Sequence, residues 1–150
     1  MSAIALALHV LSAALWVGGM FFAYTAMRPA AAKLESSTRL ELWADTFSRF
    51  FPWVWVAVIL LPATGYYLVQ ERFSGLHGAP VSIHIMQGLG WLMIGIYSFV
   101  YFGPYRHLTR TVEMKDFPLA GQHLATIRTL IATNLVLGIV VIGVAAGGRG

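Results

Sequence analysis

Two histidines, His9 and His84, lie inside long apolar stretches of a chain that contains no cysteine. An ionisable side chain buried in an apolar span is expensive and marks a functional position by default. Neutral imidazole is also the commonest protein ligand for haem iron and for many metal ions. The lack of cysteine removes disulfides, thiolate metal sites, iron–sulfur clusters and cysteine nucleophiles from consideration. Redox work would therefore fall to a cofactor bound without thioether attachment.

The neighbours of each histidine form a stripe at helical spacing. On the first helix the stripe holds His9, Ser12, Ala13, Trp16 and Gly19 or Met20; on the third it holds His84, Gln87, Gly88, Trp91 and Gly95. Each combines an imidazole, small residues and a tryptophan, which suits a flat macrocycle seated between helices. The expected cofactor is haem b, with His9 and His84 as axial ligands and Trp16, Gly19, Gln87, Gly88 and Trp91 lining it. Arg72, or else Arg149, is the expected partner of the propionates, because a carboxylate favours a charge-assisted bond.

Other chemistry competes with this. Met20, Met27, Met86 and Met93 are soft donors that suit Cu(I), and His84 with Met86 makes a His-x-Met pair. Residues two apart point about 200° apart on a helix, so that pair cannot easily grip one ion. Plain apolar packing is the better account of the methionines, and a membrane histidine can simply hydrogen-bond to a neighbouring helix. His77 reads as a loop residue, His107 and His123 as interfacial, and Asn134 with Gly138 as a packing stripe. Trp53, Trp55, Tyr66 and Tyr67 fit interfacial aromatic belts.

The elements that must position these groups follow from composition. The chain has 150 residues, 58% of them hydrophobic and only 11% charged, with a mean hydropathy of +0.71. A soluble domain is about a quarter charged, so this is an integral membrane protein. Soluble enzymes, nucleic-acid binders and disordered chains are excluded, since no polar surface of domain size remains. Four charge-free runs, Met1 to Met27, Phe50 to Gln70, Phe73 to Tyr105 and Thr129 to Gly148, can each supply the ~20 apolar residues that cross a bilayer.

The expected architecture is all-α: one four-transmembrane-helix up-down bundle over residues 1–150, with spans at about 3–27, 52–70, 81–102 and 123–146. The first run is too long for a signal-peptide core and reads as a retained helix ended by Pro29. Leu40, Trp43, Phe47 and Phe50, spaced by three and four among charged residues, predict a short interfacial amphipathic helix between helices one and two. Pro52 then opens helix two. Residues 71–80 predict a turn-rich loop, and Gly103 with Pro104 ends helix three.

Eight basic residues, Arg28, Lys33, Arg39, Arg49, Arg106, Arg110, Lys115 and Arg128, fall on one side of this topology and two, Arg72 and Arg149, on the other. The positive-inside rule then places both termini on the periplasmic face of a bacterial inner membrane. His9, about six residues into helix one, lies roughly 9 Å along its axis. His84 lies about three residues into helix three, in the same leaflet, and helices one and three are diagonal partners in such a bundle.

The run Leu8-His9-Val10-Leu11-Ser12, followed by Leu15-Trp16-Val17-Gly18-Gly19-Met20 and Arg28-Pro29-Ala30, resembles the CopD-like family of small bacterial membrane proteins. His84-Ile85-Met86-Gln87 with Gly90, Pro104-Tyr105-Arg106, and Arg128 with Asn134-Leu135 fit the same family, whose label implies an association with copper resistance. A more distant likeness is to the HemJ-type protoporphyrinogen oxidases, in which a first-helix histidine stands seven residues before a tryptophan, as His9 and Trp16 do. That likeness implies His9 as a haem ligand. The lysine of those enzymes falls on Met86 or Gln87 here, and their arginine closely followed by Asn-Glu-x-Pro is missing.

The leading expectation is a membrane b-type haem protein in electron transfer or redox chemistry near the outer face. A quinone or a periplasmic redox partner would complete the circuit, and the sequence leaves a homo-oligomer open. The alternatives are a CopD-like protein that passes Cu(I) through histidines and methionines, a HemJ-like oxidase, and a structural subunit without cofactor. Beyond the lipid bilayer, no nucleic-acid partner is expected.

Overall fold

The computed structural model describes residues 2–148. Four helices are long and apolar enough to cross a membrane: α1 Ser2–Ala31, α2 Ser36–Phe73, α3 Val81–Glu113 and α4 Phe117–Gly147. No strand occurs among the described residues. Short connections make successive helices antiparallel, so the expected up-down bundle is present. Backbone packing is heaviest between α1 and α2 and between α3 and α4, and α4 closes the bundle against both α1 and α2.

Two expected helix ends are absent. Pro29 and Pro104 each lack an N–H and crowd the carbonyl four residues back, which ordinarily stops a helix. Here each sits in or just after a widened π turn, Ala23–Met27 and Tyr101–Tyr105. The wider turn absorbs the mismatch, so α1 runs on to Ala31 and α3 to Glu113. The helix-ending role given to Pro29 and to Gly103-Pro104 is thus corrected. Helix four likewise begins earlier than expected, where Asp116 accepts a hydrogen bond from the Leu119 amide.

The separate interfacial helix is also corrected. Residues 36–73 form one continuous helix through Pro52 and Pro62. Leu40, Trp43, Phe47 and Phe51 are each 1–3% exposed, so their stripe meets protein rather than the bilayer surface. Phe47 and Phe51 stack with centroids 5.0 Å apart and planes 8° apart. Tyr105 stands edge-on to Phe51 at 4.8 Å, and Trp55 continues the ladder against Tyr97 and Tyr101. Tyr97 donates a hydrogen bond to the Phe51 carbonyl beside Pro52.

At the other end, the turn expected over residues 71–80 is confined to 74–80, because α2 stays helical to Phe73. Ser74 (φ 57°) and Gly75 (φ 119°) reverse the chain before a short 3-10 turn, Leu76–Gly78. The φ of Gly75 is one that a side chain would strain.

Candidate functional site

The first-helix histidine is held by its neighbour helix. His9 Nδ1 lies 2.9 Å from Thr64 Oγ1, and Thr64 donates its only hydroxyl proton to the Leu60 carbonyl at 2.6 Å. Thr64 must therefore accept from His9, which places the ring proton on Nδ1 and leaves the Nε2 lone pair available. The absence of a side chain on Gly65 admits the ring, for a Cβ there would lie 3.2 Å from His9 Cε1. An imidazole oriented by a second residue with one nitrogen open is what a ligand requires.

His84 is placed differently. It is exposed, as are Gly88 and Trp91 on its stripe. Trp91 and Gln87 both donate to Tyr66 Oη on α2, at 3.0 and 2.5 Å. Thr64 and Tyr66 point about 200° apart on α2, so the stripes of His9 and His84 dock on different sides of that helix. The buried face of α3 carries Met93, Tyr97 and Val100, which corrects the expectation that the His84 face points into the bundle. Met86 belongs to the Met93 side and is half-buried.

The remaining expected residues divide in the same way. Trp16 is buried, 6.1 Å from Tyr97 and edge-on to it. Gly19 lies directly under the Phe50 ring, which fills the space a cofactor edge would need. Arg72 is exposed in the last turn of α2. Arg149 lies outside the described residues.

At the bundle centre all four helices contribute to a cavity of about 20 Å³, bordered by Trp16, Met20, Phe51, Val54, Tyr97 and Asn134 among others. That holds one water or one bare ion; a macrocycle needs several hundred Å³. The residues therefore do not fit a haem ligated by both His9 and His84. Met20 and Met93 are 3% and 4% exposed, and Asn134 is 3% exposed. The Asn134 amide donates to the Met93 carbonyl at 3.1 Å, while its Oδ1 has no partner. An orphaned buried carbonyl costs about 1–3 kcal/mol unless something occupies the space beside it.

Sequence reasoning took Asn134 for a packing residue and did not foresee this orphaned oxygen. It also missed the contact of His107 with His123, whose rings lie with centroids 5.2 Å apart and planes tilted by 43°. Their separation by sixteen positions carries no pattern, and only the α3–α4 turn brings them together. No cluster of three or more metal-ligating His, Cys, Asp or Glu residues occurs among the described residues.

Four apolar helices around a core of aromatic rings, two thioethers and one amide define an integral membrane bundle with neutral, soft donors at its centre. The chain belongs to the copper resistance protein D (CopD) family, whose model matches residues 44–147. It is thus a membrane protein related to copper resistance. The matched stretch includes Met93, Tyr97 and Asn134, whereas His9, Trp16 and Met20 precede it. No curated protein and no solved structure matches the chain.

Proposed function

We propose that the protein handles Cu(I) as cargo within the membrane, taking it from His9 at one end of the bundle to Met20 and Met93 near its middle. The observation that carries this reading is the burial of both thioethers together with a cavity of one-ion size walled by Met20 and by Asn134, whose Oδ1 has no partner. Met93 adjoins that wall through its carbonyl, which accepts from the Asn134 amide. His9, Ser12, Trp16 and Met20 follow one another on a single face of α1, and His9 to Met20 rises about 16 Å. Thioether and neutral imidazole prefer a soft monovalent ion. No carboxylate lines the central cavity, which disfavours hard divalent ions.

In this reading the open Nε2 of His9 accepts the ion and Thr64 keeps the ring in the ligating tautomer. Trp16 and Tyr97 exclude water at the centre, and Met20 and Met93 exchange the ion between their sulfurs. The eight-to-two distribution of basic residues supports a bacterial inner membrane with both termini outside.

A second reading keeps one specific observation. A b-type haem protein in electron transfer, with a quinone or periplasmic partner, would use the open Nε2 of His9 as its single protein ligand. Proteoliposomes enclosing a Cu(I)-selective dye test between them. Copper-dependent signal that falls at least tenfold in M20L/M93L supports copper handling. Flux at the level of empty vesicles, together with stoichiometric haem by pyridine haemochrome, would favour the second reading.

A further inference from the structure

A second cavity stands at the basic end of the bundle, apart from the methionine core. Arg28 of α1, Arg39 of α2 and Arg128 of α4 converge on a cleft of about 250 Å³ walled by Pro29, Leu40 and Leu124. Arg39 and Arg128 are half-buried. No acidic residue lines the cleft, and the one ion pair among the described residues, Arg49 with Asp45, lies elsewhere on α2. Arg28 rests over the Tyr24 ring, 4.3 Å from its centroid, and Arg39 has only a long, 3.4 Å contact to Ser36 Oγ. Three guanidinium groups from three helices thus share one recess with no negative charge opposite them. Their mutual repulsion is unfavourable unless an anion enters.

We propose that this cleft is a phosphate-binding site, in which Arg28, Arg39 and Arg128 hold one phosphate group through charge-assisted hydrogen bonds. The planar, forked guanidinium matches phosphate oxygens, and a cleft of this size takes a headgroup but not a bulky ligand. Depth assigns the source. The stretch from Thr129 to Gly147 rises about 28 Å, close to the ~30 Å thickness of the hydrocarbon core. Arg128 therefore lies at the level of lipid phosphates, and an anionic phospholipid is the occupant that reaches all three arginines. Basic recesses between helices serve this purpose in other membrane proteins.

Native mass spectrometry of delipidated protein, titrated with phosphatidylglycerol, phosphatidylcholine or inorganic phosphate, tests the site. One phosphatidylglycerol retained per chain is expected, with retention at least tenfold weaker in R39Q/R128Q and unchanged in R106Q/R110Q, which removes equal charge outside the cleft. R28Q, at an exposed position, gives a second reading should the double variant fold poorly. Inorganic phosphate bound with the same dependence on the cleft arginines, and no lipid retained, would keep the site and make free phosphate its ligand. Equal loss in the cleft and control variants, or no preference for phosphatidylglycerol over phosphatidylcholine and no phosphate bound, would overturn the proposal.

Discussion

The two ends of this bundle are built to different standards. Toward the basic end, Trp43, Phe47, Leu108, Ala120 and Ile127 are each 0–2% exposed, and aromatic rings from α2 and α3 interlock edge to face. Toward the histidine end burial thins out. On α1 no residue before Ser12 is buried, on α3 the first is Met93, and on α4 the last is Gly138. His84, Tyr66 and Trp91 are exposed there. Helices in lipid gain little from burying aliphatic groups against each other, so close packing and shape hold them together. The aromatic end clamps the four helices, and the polar groups sit where the packing leaves side chains room.

The largest effect should come from the clamp. Phe47→Ala removes a ring that is 1% exposed and stacked on Phe51, and should cost about 3–5 kcal/mol in reversible unfolding from detergent. Ile85→Ala, at an exposed position of the histidine end, should cost well under ~1 kcal/mol. Equal costs would erase the distinction between the two ends.

Next comes the close approach at mid-depth. A Cβ on Gly138 would lie 2.7 Å from Val17 Cγ2 and 3.2 Å from Met93 Cε. Gly138→Ala should destabilise by about 1–3 kcal/mol through overpacking, and adding Val17→Ala should restore most of it. A double variant no better than the single one would show that the contact is not what matters.

These two predictions also mark what could be read from residue order. The four apolar runs announced the spans, because a bilayer leaves only helices of sufficient length as an option. Which stripe of each span faces protein was not readable in the same way, since lipid and protein core are equally apolar. Leu40, Trp43, Phe47 and Phe50 look the same whether they meet headgroups or a neighbouring helix, and only tertiary packing decided for the helix. The Gln87 and Trp91 stripe looked inward for its polar groups, yet those groups find Tyr66 at the edge of the bundle. The π turns that accommodate the prolines leave no mark in composition. His9 was singled out correctly as a polar group inside a span, but its partner Thr64 stands 55 positions away and no pattern links them.

A smaller effect is expected at His9. Thr64→Val removes the acceptor that holds the proton on Nδ1, and membrane hydrogen bonds of this kind average about 0.6 kcal/mol. Stability should barely change, whereas ¹⁵N spectra of labelled histidine should shift from the Nδ1–H toward the Nε2–H tautomer. An unchanged tautomer would mean that Thr64 does not orient the ring.

Asn134→Leu should also leave folding within about 1 kcal/mol of wild type, because the bond to Met93 and the orphaned Oδ1 oppose each other. A loss of several kcal/mol would instead make Asn134 part of the clamp.

The account's central claim, that the buried thioethers hold Cu(I), is tested most directly by anaerobic competition titration of the purified protein with a chromogenic Cu(I) chelator. Wild type should withdraw about one Cu(I) per chain, M20L/M93L should lose at least tenfold in affinity, and H84A should bind as wild type does. Unaltered Cu(I) affinity in M20L/M93L, or no Cu(I) withdrawn by wild type, would contradict it.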